Sequence, residues 1–192
     1  MATEASAQLL TPLNTDERRA LLRLARDSIR AAFRDEAPPL PCLLTPQLQA
    51  PGAAFVSLHL RAELRGCVGT LRADHALYVS VAERARAAAF EDPRFAPLTV
   101  AELAEVEIEI SRLSRLQPAG PTEVVPGIHG VAVTAGERRG VFLPQVAPRY
   151  GWDAETLLAE VCLKASLPPD AWQWAETRLE IFEAEVFGET AA

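Results

Sequence analysis

Lysine is almost missing from this chain. Of the 19 basic residues among its 192, only Lys164 is a lysine. Schiff-base chemistry must therefore pass through Lys164. A phosphate-binding loop of the GxxxxGK[ST] kind is excluded, because no lysine follows the glycines. Cysteine is sparse too. Cys42, Cys67 and Cys162 are an odd, widely spaced set that makes neither a disulfide framework nor a CxxC metal knuckle, and they suit a reducing compartment. No apolar run approaches the ~20 residues that span a bilayer. The start, "MATEASAQLL", lacks the basic and apolar regions of a secretory signal. The reading is a cytoplasmic protein with no membrane partner. A basic excess is also missing: the formal net charge is -7, and the arginines are interleaved with acids. Nucleic acid is accordingly an unlikely partner by charge, since its binders carry a basic stripe.

What is present is an ordinary globular composition, 49% hydrophobic and 23% charged. A chain of this length fits one domain or two small lobes and can bury ~70% of its unfolded surface without a disulfide or structural metal. Asn14 or Thr15 caps a helix over "LNTDERRALLRLARDSIRAAF", with Asp16 and Glu17 in its first turn. Its apolar face is Leu22, Ile29 and Phe33 with Leu21, Ala25 and Ala32. Residues 35–52, with five prolines, predict an extended connection. "AFVSLHL" and "LRGCVG" predict a hairpin, in which Arg65 and Cys67 share one face and Leu64 and Val68 the other. A helix follows over "DHALYVSVAERARAAAFED", and Thr99 and Glu102 form a capping box for a short one. "VEIEIS" alternates as a half-buried strand. After a Pro/Gly-rich link at 117–127, two strands flank a "GERRG" loop. Asp153 then caps a helix ending before Pro168, and "RLEIFEAEVF" predicts the last strand. Strands and helices without a βαβ rhythm indicate an α+β fold.

"LRGCVGT" at 64–70, "DPRFAPLT" at 92–99, "EIEIS" at 107–111, "GVFLPQVA" at 140–147 and "CLKASLPPDAW" at 162–172 resemble, in order, the blocks of the AMMECR-type domain family. That family is also called AmmeMemoRadiSam system protein A. The resemblance implies one AMMECR-type domain over residues 14–188, with short tails at 1–13 and 189–192. It implies two unequal subdomains with antiparallel sheets, the larger built from both chain ends, and a cleft between them. It further implies a system in which such proteins accompany a Memo-like protein and a radical SAM protein as partners. It leaves the reaction and any cofactor open. The chain has no CxxxCxxC, so it is not itself the radical SAM component.

Within these blocks Cys67 has two readings. It is a catalytic nucleophile, favoured as thiolate by Arg65 and served by one of His59, His75 or His129. Or it is small buried filler, with Gly66 and Gly69 serving a bend. As a binding surface, the same stretch offers Arg65, Gly66, Gly69 and Thr70 to an anion or a partner segment. Asp92 and Arg94 are polar candidates for that surface or the residues of a turn. His129 and Gln145 extend the candidate ligand-binding set, and Lys164 suits a helix C-terminus. A metal would need Cys67, His129 and Cys162 to converge through tertiary structure; no local cluster has metal-ligand spacing. Trp172, Trp174 and Phe182 read as core or lobe-interface residues rather than as a base-stacking platform.

Overall fold

The computed structural model describes residues 10–189. The start read against a secretory signal, over residues 1–9, and most of both expected tails lie outside the described residues. In chain order the elements are α1 (Thr15–Ala32), α2 (Pro46–Gln49), β1 (Ala53–Leu60), β2 (Glu63–Gly69), α3 (Leu77–Phe90), α4 (Val100–Leu103) and β3 (Glu107–Leu113). They continue with β4 (Gln117–Pro118), β5 (Gly130–Ala135), β6 (Arg138–Phe142), α5 (Val146–Tyr150), α6 (Ala154–Lys164), β7 (Arg178–Phe182) and β8 (Ala184–Gly188). The fold is α+β, with two four-stranded sheets of order β2-β1-β3-β8 and β4-β7-β5-β6. Two compact units divide the described chain, one of residues 10–113 with 185–189 and one of 114–184. No helix among the described residues is long and apolar enough to cross a membrane.

In the larger unit, α1 starts at a reciprocal capping box: Asn14 accepts from the Glu17 N–H, and Glu17 accepts from the Asn14 N–H. The Glu17 carboxylate is buried and also accepts from the Thr45 hydroxyl, which joins the caps of α1 and α2. The helix buries Ala20, Leu21, Leu24, Ala25, Ser28 and Ile29. The sequence-derived face was therefore rotated slightly: Leu22 and Phe33 pack only at its margin. On β1, Ala54, Val56 and Leu58 alternate into a core shared with Leu77, Val81, Ala85 and Ala88 of α3. The proline-rich connection is not wholly extended, because Thr45 caps α2 and Pro46 occupies its first turn, where a missing N–H costs nothing.

Arg61 and Ala62 close the β1–β2 hairpin with φ of 54° and 67°. Two left-handed residues in a two-residue loop are the geometry that Asn-Gly adopts with least strain. Replacing them as R61N/A62G is expected to stabilise the fold by about 1 kcal/mol, read as a rise in the urea midpoint at unchanged slope.

In the smaller unit, β5 and β6 are joined by Gly136 and Glu137 alone; Arg138, Arg139 and Gly140 of the expected loop are already strand. Asp153 caps α6 through the Thr156 N–H, as the sequence indicates. The helix stops at Lys164, and Ser166 takes a left-handed φ of 59°. Lys164 holds its ammonium 4.3 Å from the Phe142 ring centroid, a cation–π contact. The expected final strand is two. Glu183 interrupts it because its N–H and C=O are both taken by Ser114, at 2.9 Å each, so β7 and β8 enter different sheets.

Candidate functional site at the Cys67 edge

The β1 face opposite the core carries Phe55, Ser57 and His59. Register places Ser57 opposite Cys67 on β2 and Glu109 on β3, so these three residues form one cross-strand row. The buried Ser57 hydroxyl donates to Cys67 Sγ at 3.2 Å. His59 lies one pleat along, opposite Glu107 and Leu64, with Nε2 enclosed and without a hydrogen-bond partner among the described residues. Of the three histidines it is the one on the Cys67 sheet. Ser57 and Glu109 escaped the sequence reading, although pairing the predicted hairpin would have set Ser57 against Cys67.

A bulge changes the expected alternation. The register shifts between Leu58 and His59, so Leu64 stands opposite His59 and Arg65 has no Cα partner. Arg65 turns its guanidinium onto Glu102, donating from Nε at 2.8 Å and Nη2 at 3.2 Å, and from Nη1 to the Ala96 carbonyl at 2.9 Å. Glu102 in turn accepts from the Thr99 N–H at 2.8 Å in the capping box of α4. First the Arg65 hydrogen bond and then that of Thr99 hold the Glu102 carboxyl down to about 2. Arg65 thus fastens the 96–102 segment to β2.

The guanidinium that meets Cys67 is that of Arg94. β2 is an edge strand, and the outward N–H and C=O of Cys67 are closed by two side chains. The N–H donates to Asp92 Oδ2 at 2.8 Å, and the carbonyl accepts from Arg94 Nη2 at 3.2 Å. Asp92 and Arg94 are themselves paired, Nε to Oδ1 at 2.9 Å and Nη2 to Oδ2 at 2.6 Å, while the Arg94 N–H closes a turn on Oδ1 at 3.1 Å. "DPRF" is therefore both the turn after α3 and a fork gripping the strand edge. Asp92 is 3% exposed in its side chain and Arg94 55%. The hydrogen bond from Arg94 holds the Asp92 carboxyl down to about 2, against the opposing effect of burial and with help from the Cys67 N–H. Reciprocally, Asp92 first, and the Cys67 side chain to a lesser degree, raise the Arg94 guanidinium.

The glycines sit inside the strand ladder rather than in a loop entering a helix. A Cβ on Gly66 would lie 2.1 Å from the Ala88 carbonyl oxygen of α3, and one on Gly69 would lie 2.1 Å from the Phe55 ring. Thr70 accepts from the Arg72 N–H at 3.0 Å and so closes the turn after β2. The Leu77 N–H at the start of α3 is taken by the Ala50 carbonyl. His129 and Gln145 belong to the smaller unit. His129 Nδ1 accepts from the Val125 N–H at 3.2 Å, and Gln145 is half-buried at the N-terminal flank of α5. Cys162 is buried in the core of that unit, and burial pushes its thiol up. Among the described residues no group of three or more His, Cys, Asp or Glu side chains is placed to hold a metal ion. Phe182 is core, Trp172 packs at the core margin, and Trp174 is exposed at 36%.

Known proteins share this arrangement of elements. The AMMECR1 family model matches residues 22–187. A protein of Methanothermobacter thermautotrophicus is 37% identical over 186 residues, covering 93% of this chain and 97% of its own. One of Saccharolobus solfataricus is 39% identical over 190 residues, covering 93% and 84%. The crystal structure of an uncharacterized protein from Pyrococcus horikoshii superposes with a TM-score of 0.84 at 32% identity, over 88% of this chain and 90% of that one. With the family model spanning most of its length and relatives of this similarity matching nearly end to end, the chain belongs to the AMMECR1 family.

Proposed function

We propose that this AMMECR1-domain protein is a binding component of a multi-component modification system, working with a Memo-like protein and a radical SAM protein. Its target is engaged at the Cys67 edge of β2. One observation carries the reading: the half-exposed Arg94 guanidinium is held in place by a buried carboxylate at the backbone edge of Cys67. Asp92 occupies its Nε–Nη2 side. A guanidinium fixed in advance loses little side-chain entropy on meeting a carboxylate or phosphate. Cys67 and Ser57 then supply a polar, deformable neighbour surface. In co-purification with the Memo-like and radical SAM proteins, R94Q is expected to lose at least tenfold in association while C67S retains it. Association by neither the native chain nor C67S removes the reading.

A cysteine-dependent group transfer or hydrolysis is the second reading. It is favoured by the position of the Arg94 guanidinium, whose Nη2 donates to the Cys67 carbonyl at 3.2 Å. It requires Cys67 to be alkylated by iodoacetamide in the folded protein at a rate that falls on R94Q substitution. A thiol labelled only after unfolding ends that reading and leaves the binding one standing.

A further inference from the structure

β8 ends its sheet, and on the described residues its outer edge is open. The Glu189 N–H donates to the Ile108 carbonyl of β3 at 3.1 Å. Backbone groups alternate along a strand, so Phe187 and Glu185 also face β3, while Val186 and Gly188 turn their N–H and C=O outward. Side chains alternate as well. Glu185, Phe187 and Glu189 point to α1, where Glu185 meets Arg18 and Glu189 meets Arg26. Val186, 42% exposed, points to the opposite face.

A hollow lies on each side of this edge. On the α1 side, a groove of about 970 Å³ has Leu22, Leu43 and Phe187 in its apolar lining and Arg19 and Arg23 on its wall. Both arginines are exposed. On the other side, a hollow of about 500 Å³ is bounded by His59, Glu107 and Glu109. Asp16 and Glu189 also line the groove, Glu189 paired with Arg26, so the α1 side keeps an excess of arginine while the other side carries the carboxylates of Glu107 and Glu109.

We propose that β8 is a docking edge for an extended segment of a partner protein, one that carries acidic side chains on one face and basic side chains on the other. The segment adds to the sheet through the outward groups of Val186 and Gly188. Its acidic positions meet Arg19 and Arg23, and its basic positions meet Glu107 and Glu109. A second copy of this chain fits poorly. Antiparallel pairing of two β8 edges about a two-fold axis keeps each face continuous, so the arginines of both copies would crowd onto one side. This surface is separate from the Arg94 fork, so R94Q leaves it intact and the two proposals fail independently.

The test is fluorescence anisotropy of the full chain with a labelled ten-residue peptide alternating Glu and Arg. A peptide of the same composition in two blocks, five Glu then five Arg, is the control. The alternating peptide is expected to bind at least tenfold more tightly. R19E/R23E is expected to remove that preference, and V186P to abolish binding while the thermal melt stays cooperative, because the lost N–H faces outward. Val186→Lys, which keeps the N–H, is expected to retain binding and guards against a misfolded proline variant. Equal binding of both peptides, unchanged binding by V186P, or no binding to the native chain at millimolar peptide each overturns the proposal. So does concentration-dependent self-association that V186P removes, which would make a second copy the occupant.

Discussion

Gly66→Ala is expected to be among the most damaging single-methyl changes in the protein, costing about 3 kcal/mol and lowering the melting temperature by roughly 6–12 °C. The added Cβ would lie 2.1 Å from the Ala88 carbonyl oxygen and 3.2 Å from its carbon. Those atoms belong to the backbone of α3, which is fixed by its own hydrogen bonds and by Val81, Ala85 and Ala88 in the core. Relief requires moving the helix away from β2, which opens gaps along the whole contact. Gly69→Ala is the informative comparison. Its Cβ would lie 2.1 Å from Cγ of the half-buried Phe55 ring, so relief takes a change of side-chain rotamer rather than a shift of backbone. Its cost is expected to be less than half as large. Differential scanning calorimetry of the two variants checks the order. Comparable melting temperatures would mean that the α3–β2 approach is softer than its geometry implies.

The two glycines show how far the sequence could be read. "LRGCVG" marked them as places of close approach, and both are, but the approaching groups are a helix backbone and an aromatic ring of the same chain. Local signals were legible wherever the cause was local. The Asn14, Thr99 and Asp153 caps each depend on a side chain and an N–H three residues apart. The β1–β2 hairpin depends on two alternating runs and a short loop. What was hidden depended on register or on distant partners. The bulge beside Arg65 cannot be seen from alternation alone, and it sends the Arg65 guanidinium to Glu102, 37 residues away in sequence. The partition of "RLEIFEAEVF" was invisible because Ser114 decides it, 69 residues from Glu183. Cys67 was singled out for its neighbours in sequence, yet Arg94, Asp92 and Ser57 give it its environment.

That environment depends most on Asp92, and removing its charge is the second change with a large expected effect. Asp92→Asn keeps an oxygen for the Cys67 N–H but leaves the Arg94 guanidinium without its counter-ion at the strand edge. A carboxyl held at about 2 rather than its ordinary 3.8 contributes about 2 kcal/mol to folding. Because the folded value is the depressed one, that contribution is complete above pH ~4 and disappears as pH falls toward 2. Urea unfolding across this range is therefore expected to show a native-to-variant difference near 2 kcal/mol at pH 7 that closes below pH 3. Glu102 titrates in the same window, but it is present in both proteins and cancels in the difference. A gap that persists unchanged at pH 2 would assign the effect to packing rather than to charge. The same variant also connects stability to function. With Arg94 still present but no longer held, D92N is expected to lose partner association about as fully as R94Q. Association retained by D92N and lost by R94Q would mean that the guanidinium needs only to be there, and that its fixation by Asp92 serves the fold alone.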